Sequence, residues 1–137
     1  MEITKKLNIP APFFYDKIMD SVLYDVRKAT GKNLTRKQLR NFEYIKEFSK
    51  NSRAKIKIEE LIENQSYKFR TSTTRNEYVV HYQVLPLDDK TCEVRYEEKM
   101  ESFGIIQKLN DMLLGTILMY FKRRQFKRML GMIEETY

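Results

Sequence analysis

"KLNIPAPFFYDKIMDSV", residues 6–22, changes its apolar period partway along, and that change decides the fold. Up to this corner the chain alternates. Ile3, Leu7 and Ile9 share one parity and Glu2, Thr4, Lys6 and Asn8 the other, the pattern of a strand with one buried face. Lys5 interrupts the apolar parity, which marks an edge strand. Pro10 and Pro12 end the strand, because proline cannot donate to a ladder and its φ suits a first helical turn. From Phe13 the period is helical: Phe14, Ile18, Val22 and Val26, flanked by Tyr15, Met19 and Leu23, make one apolar stripe, with Gly31 as its expected stop.

Outward from this segment, residues 40–101 show strand alternation at intervals of about ten residues with turn-like breaks between. Phe42, Tyr44 and Phe48 share a parity before "SKNSR"; Ala54, Ile56, Ile58 and Ile62 before "ENQS"; Tyr67, Phe69, Thr71 and Thr73 before "TRN". Tyr78, Val80, Tyr82 and Val84 precede "PLDDKT", and Val94, Tyr96 and Met100 close the series. Five consecutive strands predict an antiparallel meander. Its opposite face carries Lys55, Lys57, Glu59, Lys68, Arg70, Glu93, Arg95, Glu97 and Lys99 and is expected to be wet. From Gly104 onward the apolar residues fall at helical spacing, Leu109, Met112, Thr116, Met119, Phe126, Leu130 and Ile133, with Arg123 as the interruption. One long helix, with a bend near Gly115, is the expectation.

A one-faced meander and a one-striped helix must cover each other, so the helix is expected across the concave side of a curved sheet, with the first strand joining the sheet edge. The expected class is α+β, in the order β-α-β(5)-α, as one domain over residues 1–137. That order, together with "LNIPAPFFYDKIMDSV", resembles the helix-grip fold of the START, polyketide-cyclase and birch-pollen-allergen superfamily. The stretch "KATGKNLTRKQLRNFEYIK" is also similar to a narrower family of small bacterial cytoplasmic proteins known only as a domain of unknown function. The first resemblance implies a cavity between sheet and long helix that binds a lipid, sterol, polyketide or similar apolar molecule; the second implies the same fold and no assigned activity. The chain departs from the superfamily in its basic connection, where two short helices often stand, so Thr35 to Gln38 is expected as a helical turn or a loop.

Composition bounds the alternatives. A 137-residue chain can bury a core without disulfides or a structural metal. Cys92 is the only cysteine, so no intramolecular disulfide and no Cys-rich metal site can form, and a reducing cytoplasm is expected. The start "MEITKKLNIP" has no secretory pattern, and "MLLGTILMYF" at 112–121 is well short of the roughly 20 residues of a membrane span. The net charge is +7, concentrated in residues 27–40 and 122–128, which contain no acidic residue. The plain reading is two solvated faces. The alternative is a nucleic-acid or anionic-surface site built on Arg36, Lys37, Arg40, Arg123, Arg124 and Lys127.

The inward parity is unusually phenolic, with Tyr44, Tyr67, Tyr78, Tyr82 and Tyr96, and it includes Glu60 and Glu98, which a dry core would exclude. Thr71, Thr73 or the phenols could donate to these carboxylates, and Arg123 could supply a cation. The expected ligand site is therefore Tyr44, Phe69, Thr71, Tyr82, Tyr96 and Glu98, closed by Met112, Leu113 and Thr116 of the helix, for a small apolar or amphipathic molecule. The competing reading puts both glutamates at strand ends in solvent. His81, the only histidine, falls on the wet parity, so a Ser-His or Cys-His pair is not expected. No catalytic residue, metal ligand or cofactor is assigned, and no nucleotide-phosphate motif is present. A further alternative makes the C-terminal helix a protein-interaction surface. The chain is expected as a monomer or homodimer.

Overall fold

The computed structural model describes residues 2–49, 52–74, 76–102 and 123–137. Strand β1 (Glu2–Leu7) runs into the Pro corner and helix α1 (Ala11–Thr30), and a 3-10 turn (Arg36–Gln38) leads into five strands. These are β2 (Glu43–Ser49), β3 (Ser52–Ile62), β4 (Ser66–Ser72), β5 (Asn76–Pro86) and β6 (Cys92–Ser102). A C-terminal helix, α2, occupies described residues 123–135. The six strands form one curved antiparallel sheet in the order β1-β6-β5-β4-β3-β2, so the meander and the edge position of β1 are as expected.

The opening segment folds as its chemistry requires. Pro10 caps α1 in an extended conformation (φ −64°, ψ 148°), and Pro12 sits in the first turn, where its missing N–H leaves no bond unmade. At the other end Gly31 takes φ +77°, a left-handed conformation that only glycine adopts without strain, and its N–H donates to the Arg27 carbonyl at 2.7 Å. Arg27 and Lys28 in the last turn complement the negative end of the helix dipole. The apolar stripe of α1 is buried on the sheet, with Phe14 and Val26 fully enclosed. The basic connection is held by a capping box, Thr35 with Gln38, and the Leu39 that follows is fully buried.

Lys5 explains its own break in the alternation. It pairs with inward-facing Val94, and its ammonium escapes the core by reaching the Lys127 carbonyl of α2 at 3.3 Å. At the opposite edge Lys46 plays a related part: its Nζ lies 2.6 Å from Asp25 Oδ1 on α1, while the Tyr44 hydroxyl donates to Asp25 Oδ2 at 2.6 Å. The edge strand and α1 are thereby clamped together through one carboxylate.

Strand β3 departs from simple alternation. Its register with β4 shifts between Ile58 and Glu60, so Leu61 turns inward opposite Tyr67 and Ile62 turns out, 41% exposed. Ile62 is therefore not a core residue, and Glu60 does not face inward. A bulge inserts one residue and inverts every later side chain on that strand. The expected wet face is otherwise correct. It carries Arg70 between Glu59 and Glu77, Lys55 beside Glu43, and Lys99 beside Glu97.

Candidate functional site

Cross-strand register aligns the inward residues in rows. One row runs Ile3, Tyr96, Tyr82, Tyr67, Leu61; the next runs Glu98, Val80, Phe69, Ile58; a third runs Met100, Tyr78, Thr71, Ile56, Tyr44. Aromatic rings connect across them. Phe69 stacks on Tyr67 (centroids 5.2 Å apart), Tyr67 on Tyr82 (5.9 Å), and Tyr82 meets Tyr96 edge-on (5.0 Å). Phe126 of α2 closes the series 4.0 Å from Tyr96. Such pairs add roughly 0.5–1.5 kcal/mol each beyond burial, and their flat faces suit an apolar ligand body.

Two polar features stand in this aromatic setting. The Tyr96 hydroxyl donates to Glu98 Oε2 at 3.1 Å, and Glu98 lies half-buried on the concave side, as its parity required. Burial first, and the negative charge of Glu98 second, push the Tyr82 and Tyr96 phenols well above the ordinary tyrosine range. Both remain neutral hydroxyls at any physiological pH. Thr71 is half-buried in the adjoining row. Tyr44 sits elsewhere in role: it is buried, its hydroxyl is held by Asp25, and burial together with that bond raises its pKa. Met112, Leu113 and Thr116 lie outside the described residues.

The expectation that Arg123 serves the inward glutamates does not hold. Its side chain is exposed and donates to the Glu2 carbonyl at 3.0 Å, tying α2 to the edge of β1. Phe126, one helical turn along the same stripe, is the α2 residue that reaches the aromatic row; its spacing from Leu130 and Ile133 was the signal for it.

The convex side holds a group that sequence reasoning missed. Ser66 opens β4, is only 6% exposed, and donates to Glu60 Oε2 at 2.6 Å; His81 Nε2 lies 3.0 Å from Ser66 Oγ and 3.3 Å from Glu60 Oε2. The bulge in β3 makes this meeting by turning Glu60 outward, and the doublets Glu59-Glu60 and Leu61-Ile62 were its trace in the sequence. The cluster floors an open groove of about 700 Å³ between the start of α1, the β3–β4 turn and the end of β5. The geometry is a polar knot, not an activated nucleophile. The Ser66 proton is directed at Glu60 Oε2, so the hydroxyl is held by the carboxylate rather than aimed at the imidazole. Among the described residues no three His, Cys, Asp or Glu side chains converge as metal ligands. Cys92 is fully buried and its thiol is pushed up to about 11, chiefly by that burial.

The basic segments do not converge. Arg36 is held between Asp16 (2.5 Å) and Glu63 (2.6 Å), and Arg40 donates to the Leu61 carbonyl on β3. Arg123 and the Lys127 carbonyl meet β1, at the far edge of the sheet. Lys37, Arg124 and the Lys127 side chain are exposed. Arg36 is thus a structural cation, with its guanidinium 6.0 Å from the ring of Tyr15.

Residues 1–119 match a family model described as a domain of unknown function, DUF3284. No curated protein sequence matches the chain. Solved structures similar to it include a conserved protein from Geobacillus kaustophilus, 12% identical with a TM-score of 0.57, covering 98% of this chain and 95% of that one. A START superfamily protein from Mycobacterium smegmatis is 10% identical with a TM-score of 0.54, covering 100% and 98%. Norcoclaurine synthase from Thalictrum flavum, solved with dopamine and hydroxybenzaldehyde, is 9% identical with a TM-score of 0.58, covering 99% and 84%. These structural likenesses show a shared START-like, helix-grip fold and nothing finer.

Proposed function

The chain belongs to the DUF3284 family, and from that premise we propose that it is a non-catalytic binder of a small apolar or amphipathic molecule, held between the concave sheet face and the C-terminal helix. Tyr96 carries this reading. Its ring lies against Phe126 while its hydroxyl meets Glu98, which puts an apolar contact surface and a fixed polar contact in one place. Phe69, Thr71 and Tyr82 extend the surface, Tyr44 braces its far side, and Met112, Leu113 and Thr116 are assigned to the lid. A buried, unpaired Cys92 fits a reducing cytoplasm, where the protein acts as a monomer or homodimer.

Native mass spectrometry of untreated protein, together with uptake of the neutral dye Nile red, tests the proposal. The account expects a retained or acquired small molecule and a several-fold loss of uptake in Tyr96→Ala. A protein that carries nothing and takes up nothing would overturn it.

A further inference from the structure

Resting on the concave-face reading, we infer that the ligand carries a neutral hydrogen-bond acceptor, a carbonyl foremost, and that the hydroxyls of Tyr67 and Tyr82 hold it. The fate of each hydroxyl proton on this face leads there. Tyr15 donates to the Ser66 carbonyl, Tyr44 to Asp25 and Tyr96 to Glu98, so these three protons are committed within the protein. Thr73 donates to the Asn76 carbonyl and accepts from the Asn76 N–H. Tyr78 and Glu98 are engaged by further contacts. Among the described residues no hydrogen bond ends on the hydroxyls of Tyr67, Tyr82 or Thr71. Tyr67 and Tyr82 are directly opposed on β4 and β5, and their rings stack 5.9 Å apart at 18°. Two donors thus project side by side from one row, Tyr67 only 6% exposed and Tyr82 half-buried. Thr71, half-buried opposite Tyr78 two rows on, adds a donor of the same sense.

A hydroxyl rotates and can also accept, but its proton still requires an acceptor, and a buried proton without one is costly. Water can meet such protons; an apolar body that displaces it strips both phenols of their acceptor unless the ligand supplies one. A carbonyl oxygen has two lone pairs and can take both protons at once, whereas a donor-only head leaves them unmet. The protons are firmly held. Burial is the leading cause that raises both phenols well above the ordinary tyrosine range, followed by the phenols of Tyr44 and Tyr82 for Tyr67 and by the charge of Glu98 for Tyr82. The three cations at inward parity or in the helical stripe are turned away from this row, Lys5 to the Lys127 carbonyl, Lys46 to Asp25 and Arg123 to the Glu2 carbonyl. A carboxylate head would therefore be buried without a counter-charge, and a neutral acceptor suits the row better.

Three probes on one apolar skeleton test this: benzylacetone, the analogue in which a methylene replaces its carbonyl oxygen, and phenylpropionate. Each is titrated near neutral pH into isotope-labelled protein, with the resonances of Tyr67, Tyr82 and Phe126 followed by NMR. Benzylacetone is expected to bind about tenfold more tightly than either of the others, as one to two net hydrogen bonds imply. Its carbonyl carbon should move downfield on binding, the mark of an accepted hydrogen bond. In the double variant Tyr67→Phe/Tyr82→Phe the ratio to the methylene analogue should fall close to one and the downfield shift should vanish. The denaturation midpoint of the ligand-free double variant should match the parent, because no partner within the protein is lost. Equal binding of benzylacetone and its methylene analogue, tighter binding of phenylpropionate, an advantage that survives the double variant, or a lowered midpoint would overturn the inference while leaving the concave site intact. If no probe shifts these resonances, both the inference and the site it rests on fall.

Discussion

The concave face has two halves built to different ends. Between α1 and the sheet lies a large cluster in which Phe14, Ile58, Val94 and Cys92 are fully enclosed, joined at its side by Leu130 of α2. Under Phe126 lies a small one, Ile3, Val80 and Tyr96; the half-buried Phe69, Tyr82 and Phe126 border both clusters, and Thr71, Tyr78 and Glu98 lie beyond them. The first half joins its layers with close aliphatic contact and buried clamps: the Tyr15 hydroxyl on the Ser66 carbonyl at 2.9 Å, and Asp25 gripped by Tyr44 and Lys46. The second half is made of flat rings and groups with polar tips. The difference is one of packing within a single sheet face, with aliphatic contact and buried clamps under α1 and half-buried rings beside α2, where the proposed function places the ligand.

Mutations that cut into each half should separate these roles. Phe14→Ala, which empties a fully buried site, is expected to cost about 3–5 kcal/mol in chemical denaturation while leaving Nile red uptake intact where the protein stays folded. A cost below about 1 kcal/mol would break the contrast. Asp25→Ala leaves the buried Tyr44 hydroxyl without its acceptor and releases Lys46; about 2 kcal/mol is expected, with a smaller loss for Asp25→Asn, which keeps an acceptor for the phenol. At the other half, Tyr96→Phe should change stability by no more than about 1 kcal/mol, since the ring contacts persist. Its effect should be on ligand uptake.

Alkaline titration probes both halves together. Tyr15 is raised to about 12, first by burial and then by the charge of Glu63; Tyr44, Tyr67, Tyr82 and Tyr96 are also raised, with burial as the leading cause in each. The unfolded chain ionises its tyrosines near pH 10, so it gains stability on deprotonation before the folded chain does. The stabilisation these phenols contribute is complete below pH 10 and drains away as pH rises toward and through 12. Phenolate absorbance should therefore show these five phenols ionising in a cooperative step that coincides with loss of secondary structure. Ionisation of these five phenols near pH 10 with the fold intact would contradict this picture.

The sequence exposed most of the frame because period is a local property. Alternation up to Leu7, the Pro10 and Pro12 corner and the stripe from Phe14 to Val26 each depend on neighbours a few residues away, and each formed as read, except that the strand ends at Leu7, two residues short of the expected Ile9. Glu60 and Ile62 were misplaced because a bulge is a matter of pairing: only the register with β4 shows that one residue has been inserted, and everything after it inverts. The same event hid the meeting of Ser66, His81 and Glu60. Arg123 was misread for a related reason, since a long side chain at the end of a stripe can reach sideways to the Glu2 carbonyl as readily as down into the core. Glu98, with no bulge between it and the residues that set its strand's parity, was placed correctly.

The central claim is that room for a ligand exists beside Tyr82, Tyr96 and Phe126 and not under α1. A crystal of untreated protein, pressurised with xenon, measures that directly. The account predicts xenon, or density from a retained molecule, against the Tyr96 and Phe126 rings, and none around Phe14 and Val26; rings that meet solid side-chain packing on every side, with no xenon bound there, would contradict it.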